Sequence, residues 1–104
     1  MMSRKTDRRD RVVTLSRQMA AFLGRMDMHP AQSFYLRHAD ALSAEETMLG
    51  RRRIYRTIYS ATNTGAGGMS DLYVTKPDGT GDMPATKAFE ACLHALLKET
   101  RTFP

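Results

Sequence analysis

The amino-acid sequence predicts an α+β domain, predominantly helical, with about four helices and one short strand or hairpin before the last. Apolar residues recur at three- and four-residue steps over four separate stretches, the spacing of amphipathic helices. Only Leu72-Tyr73-Val74-Thr75 reads as a strand, and Lys76-Pro77-Asp78-Gly79 closes it with proline and glycine placed as a tight turn requires. A length of 104 residues suits one hydrophobic core rather than two.

Residues 1–9 are polar and without periodicity, which predicts a mobile basic arm ahead of a single helical domain over 10–104. The first helix starts near Asp10, with Val12, Leu15, Met19, Phe22, Leu23 and Met26 on its apolar side. His29-Pro30 interrupts it, because a residue before proline is pushed out of the α region and proline suits the first turn of the next helix. The second helix covers about Pro30 to Leu42, with Phe34, Tyr35, His38 and Leu42 on one side. Ser43-Ala44-Glu45-Glu46 has the form of a capping box and predicts a third helix from Ala44. On that helix Met48, Ile54, Tyr55, Ile58 and Tyr59 share an arc, Arg51 falls inside it and Arg53 faces away. Ile54 to Tyr59 is also β-prone, so a strand is the alternative there. The last helix runs from Pro84 to Thr100, where Phe89, Cys92, Leu93, Leu96 and Leu97 form a narrow stripe predicted to pack on the first helix.

Apolar residues make up 41% and charged residues 26%, an ordinary globular balance that argues against wholesale disorder. Sixteen Lys and Arg against eleven Asp and Glu give +5, which suits an acidic protein face, nucleic acid or a solvated surface alike. Cys92 is the single cysteine, so no disulfide forms within the chain and a reducing compartment is expected. The basic start lacks the apolar stretch of about 7–15 residues that a signal peptide carries. No segment approaches the roughly 18 apolar residues of a membrane span, and the expectation is a cytoplasmic protein with no membrane contact.

No phosphate loop, dinucleotide fingerprint, zinc-protease or serine-hydrolase motif is present, and His29, His38 and His94 are scattered. The expectation is therefore a protein that is not an enzyme, with no metal and no cofactor. Cys92 and His94, like His38 and Asp40, are two apart and point about 200° away from each other on a helix, so neither pair makes a nucleophile and base. Cys92, His38, Met19, Met26 and Met48 are read as core or boundary residues.

Gly65-Ala66-Gly67-Gly68 predicts a structural loop in which Gly65 or Gly67 takes a positive φ and Asp71 accepts from loop amides. The segment Thr64 to Val74 resembles the signature of a small bacterial family, Gly-Gly-Met-Gly-Ser-Phe/Leu-Asn-Asp-Leu. Gly65, Gly67, Asp71 and Leu72 match it, while Thr64, Ala66, Gly68 and Ser70 depart. The resemblance spans about residues 50–98 and implies a helical domain with a glycine turn and a closing helix. It also implies an accessory or immunity-type protein, by association only.

The densest charge feature is Arg51-Arg52-Arg53 with Arg56, flanked by Tyr55 and Tyr59. Arginine and aromatic side chains together suit a protein hot spot or the stacking and phosphate contacts of nucleic-acid binding. Arg51, Arg52, Arg56, Tyr55 and Tyr59 are the candidate partner-binding residues. The leading expectation is a small protein that binds and neutralises or assists a partner protein, such as a toxin; the alternative is a small RNA- or DNA-binding accessory protein.

Overall fold

The computed structural model describes residues 7–64 and 68–102. Among the described residues four α-helices follow one another: α1 (Arg8–Arg25), α2 (His29–Ala44), α3 (Met48–Thr62) and α4 (Met83–Thr100). Contacts between sequence-distant residues set their directions. Arg17 meets Asp40 across α1 and α2, and Tyr35 meets Thr62 across α2 and α3. Arg11 meets Glu99 at one end of α1 and α4, Cys92 meets Leu15 midway, and Arg25 meets Asp82 at the other end. Neighbouring helices are antiparallel, which makes an up-down-up-down bundle.

Val12, Met19 and Leu23 of α1, Tyr35 and Leu42 of α2, Ile58 of α3, and Phe89, Leu93 and Leu96 of α4 fill its centre and are buried. Phe22 meets Phe89 edge-on at 5.7 Å, the rim-to-face geometry aromatic rings favour. The predicted stripe of the last helix packs on the first, as its spacing implies. A buried polar pair also joins α2 to α3. Thr62 donates its hydroxyl hydrogen to Ile58 O at 2.7 Å, so Tyr35 donates to Thr62 Oγ1 at 2.7 Å, and burial holds the phenol neutral.

The α+β expectation is corrected: the fold is all-helical, with no strand among the described residues. Residues 72–75 keep an extended path, and Val74 is buried, but only the isolated Thr75–Gly81 bridge forms. The reason is the way Val74 satisfies its backbone. Its N–H donates to Thr86 Oγ1 at 3.0 Å, and its carbonyl accepts from Asp82 N at 2.8 Å. The Asp82 N–H bond belongs to the bridge itself, whose other bond runs from Lys76 N to Thr80 O at 2.8 Å, while Thr86 in the first turn of α4 takes the Val74 N–H that a further strand would take; a lone two-stranded ribbon has little stability of its own. The turn itself is present: Gly79 N donates to Lys76 O at 2.9 Å, with Gly79 at φ +89°, a conformation that suits glycine. Residues 54–59, for which a strand was the alternative, lie within α3.

The capping box at Ser43–Glu46 is also corrected, since α2 continues to Ala44 and Thr47 caps α3 by accepting from Gly50 N at 3.0 Å. Glu45 receives the Thr47 N–H and hydroxyl on its carboxylate, at 3.1 and 2.7 Å. The reciprocal acceptor therefore lies before the cap rather than after it. A Cβ at Gly50 would collide with that carboxylate. At the end of α1, Met28 N donates to Leu23 O and Asp27 N to Gly24 O, with Asp27 at φ 58°. This left-handed closure, not His29-Pro30, stops the helix.

Arg8 and Arg9, read as part of the mobile arm, are the first residues of α1, and residues 1–6 lie outside the described residues. Met48, read as core, is 73% exposed because it begins α3 at the bundle's end, past the reach of the facing helices. Gly65 and Gly67 lie outside the described residues. Asp71 is exposed and ends a 3-10 turn, Met69–Asp71, while Thr64 Oγ1 accepts the Met69 N–H at 2.7 Å.

Candidate functional site

At one end of the bundle the starts of α1 and α3 meet the ends of α2 and α4. The C-terminal carbonyls of a helix lack intrahelical donors and carry partial negative charge, so cations settle there. Arg8 donates through Nε to Glu99 O at 2.6 Å and through Nη2 to Arg101 O at 3.0 Å, closing the end of α4. Arg51 donates through Nε to Glu45 O at 2.9 Å, closing the end of α2. The Arg8 guanidinium also lies 4.2 Å from the centre of the Tyr55 ring, a cation–π contact made from α1 to α3.

Beside these contacts lies a cleft of about 480 Å³ lined by Arg8, Arg9, Arg51, Arg52 and Arg101. Among the described residues one carboxylate, Asp7, shares the wall, with Tyr55, Met48 and Thr102 completing it. Glu99 is held instead by the Arg11 guanidinium, at 3.1 Å. Tyr55 is only 5% exposed, and burial pushes its phenol above the usual range while the surrounding arginines pull the other way. A phenol in that setting is neutral near pH 7.

Of the five residues predicted to bind a partner, Arg51, Arg52 and Tyr55 converge on this cleft and Arg56 and Tyr59 do not line it. Tyr59 sits further along α3, where its hydroxyl accepts from Asn63 Nδ2 at 3.2 Å. Arg8, Arg9 and Arg101 went unrecognised in the sequence, since they come from opposite ends of the chain. For Arg8 and Arg9 the one legible signal is the basic pair itself, which falls in the arm predicted over residues 1–9. Arg53, facing away on the wheel, is exposed and outside the cleft.

The remaining candidates have packing roles. His38 Nδ1 is 2.8 Å from Phe34 O, and its ring stacks on Phe34 at 4.1 Å. Cys92 is buried, its thiol pushed up to about 11 by burial, and it donates to Leu15 O at 3.4 Å. Such a thiol is a poor nucleophile near neutral pH. A second depression, about 520 Å³ between α1 and α4, is walled mainly by apolar groups such as Phe22, Ala88 and Ala91. Among the described residues no group of three or more His, Cys, Asp or Glu is placed to hold a metal, and no helix is long and apolar enough to cross a membrane.

Comparison with known protein families, characterised proteins and solved structures finds no match for this chain.

Proposed function

We propose that this chain is a small non-enzymatic, cytoplasmic binding protein that docks a partner protein on the arginine-lined end of its bundle and neutralises or assists it. An immunity or accessory role is the concrete form of that reading. The observation that carries it is the composition of this end. Arg51 and Arg52 of α3, with Arg8 and Arg9 of α1, line the cleft together with Met48, which is 73% exposed, and Leu49, which follows it in the chain, is 63% exposed. Guanidinium groups bordered by accessible apolar side chains are the makings of a protein hot spot, where apolar burial supplies affinity and charge supplies selection.

The convergence of five arginines also favours the second reading, a nucleic-acid-binding accessory protein. Against it stands Tyr55, which is buried beneath Arg8 and offers no open face for a base to stack on.

The test is recovery of partners by tagged pull-down with and without nuclease, beside titration with generic RNA and DNA at two salt concentrations. A nuclease-resistant partner lost with Arg52→Glu and retained with Arg53→Glu is the expected outcome. Nuclease-sensitive recovery together with tight, salt-dependent RNA or DNA binding would replace this reading with the second.

A further inference from the structure

We infer that the arginine cleft takes an acidic peptide segment, a run of Asp or Glu carboxylates on the partner, with Arg9 and Arg52 as contacting groups and Arg8 as a positioning residue. This rests on the protein-partner reading and adds the chemistry of recognition to it. Among the described lining residues five guanidiniums stand against one carboxylate, Asp7, and Arg9 also pairs with Asp10 at 3.6 Å, which leaves an excess of positive charge complementary to more than one carboxylate. Its volume of about 480 Å³ far exceeds the share of roughly 30 Å³ that one water molecule occupies, which suits a stretch of chain better than a single small ion.

Among the described residues every cation lining it is arginine. The planar fork of arginine binds a carboxylate through two parallel N–H groups, a geometry lysine lacks. Two of the five are already ordered by backbone. Arg8 is fixed by Glu99 O, Arg101 O and the Tyr55 ring, and Arg51 by Glu45 O. Their side-chain freedom is spent on folding, so less is lost when a ligand arrives. The same bonds cover the carbonyls that end α2 and α4, which would otherwise repel an anion. Exposed Met48 adds an apolar wall for a side chain between the carboxylates.

The experiment is fluorescence anisotropy of a labelled Glu-rich decapeptide with one central Leu, at low and physiological salt. A single-stranded RNA of equal charge is titrated in parallel. Saturable peptide binding is expected, weakened about tenfold or more by Arg9→Glu or Arg52→Glu, since like charges then meet across the contact. At physiological salt Arg53→Glu, exposed on the same helix outside the cleft, is expected to change it less than about twofold, because its charge makes no direct contact with the peptide and is screened by solvent.

No saturable binding to the unmutated protein, an equal loss in all three variants, or RNA binding tighter than peptide binding would each overturn the inference; the first of these needs no variant to fold. If the peptide fails while Arg52→Glu still loses a nuclease-resistant cellular partner, the acidic-segment inference falls and the protein-partner reading stands. If the peptide binds as expected but cellular recovery vanishes with nuclease, the cleft chemistry is supported and the protein-partner reading falls.

Discussion

Replacing Thr86 by Val tests why the predicted strand is absent. Thr86 and Val74 are both buried, and the Thr86 hydroxyl accepts the Val74 N–H at 3.0 Å. Valine has nearly the same shape but no acceptor, so the variant leaves one buried amide unsatisfied at a cost of about 1–3 kcal/mol. The Val74 carbonyl also loses the Thr86 hydroxyl at 3.4 Å but keeps its bond from Asp82 N at 2.8 Å, so the amide is the group left without a partner. In a domain near this size each kcal/mol moves the melting temperature by about 4–8 °C, so a fall on the order of 5–20 °C is expected. Circular dichroism during heating and urea titration measures it. Thr86→Ser keeps the acceptor and loses one methyl, worth about 1 kcal/mol or less. Amide exchange should show Val74 protected in the native protein and in the Ser variant, and faster in the Val variant. A Val variant within about 0.5 kcal/mol of the native protein, or a Ser variant equally destabilised, would refute the idea that α4 stands in for a partner strand.

Three further outcomes follow from the core and the helix ends. Leu93, on the buried face of α4, should cost roughly 2–5 kcal/mol as Leu93→Ala because transfer and cavity terms add; an unchanged urea midpoint would contradict its packing. Ser16 Oγ is buried and has no hydrogen-bond partner among the described residues, so Ser16→Ala should be neutral or stabilising by up to about 1 kcal/mol, and a clear loss would show that the hydroxyl is satisfied. Asp82 caps α4 through Ala85 N at 3.1 Å and pairs with Arg25 at 3.1 Å, and these contacts, the capping bond foremost, hold its carboxyl below the ordinary range. A carboxyl lowered in the folded state contributes stability above its unfolded pKa, and that contribution is lost as pH falls through the folded value. Asp82→Asn, which keeps an oxygen at the cap, should therefore flatten the decline of the urea midpoint between about pH 5 and pH 2. An identical slope in both proteins would remove Asp82 from the acid response.

What the sequence determined by itself is the set of local elements whose cause is also local. Three- and four-residue spacing in residues 12–26 and 89–97 places buried Val12, Met19 and Leu23 of α1 and Phe89, Cys92, Leu93 and Leu96 of α4 on facing sides, and both helices and their packing follow from it. Pro77 and Gly79 made the turn before α4 legible for the same reason, since φ preferences are properties of single residues. Tertiary structure decided what depends on a partner far along the chain. Leu72 to Thr75 have the composition of a strand, but the Val74 hydrogen bonds go to Thr86 and Asp82, and no local pattern announces that a helix's cap and first turn will meet them. Two competing caps, Ser43 and Thr47, lie four residues apart, and the chain uses the one beside the Glu45 carboxylate. The cleft shows the same division. Arg51, Arg52 and Tyr55 are near neighbours in sequence and were found together, whereas Arg8 and Arg101 join them only because antiparallel packing brings the start of α1 to the end of α4.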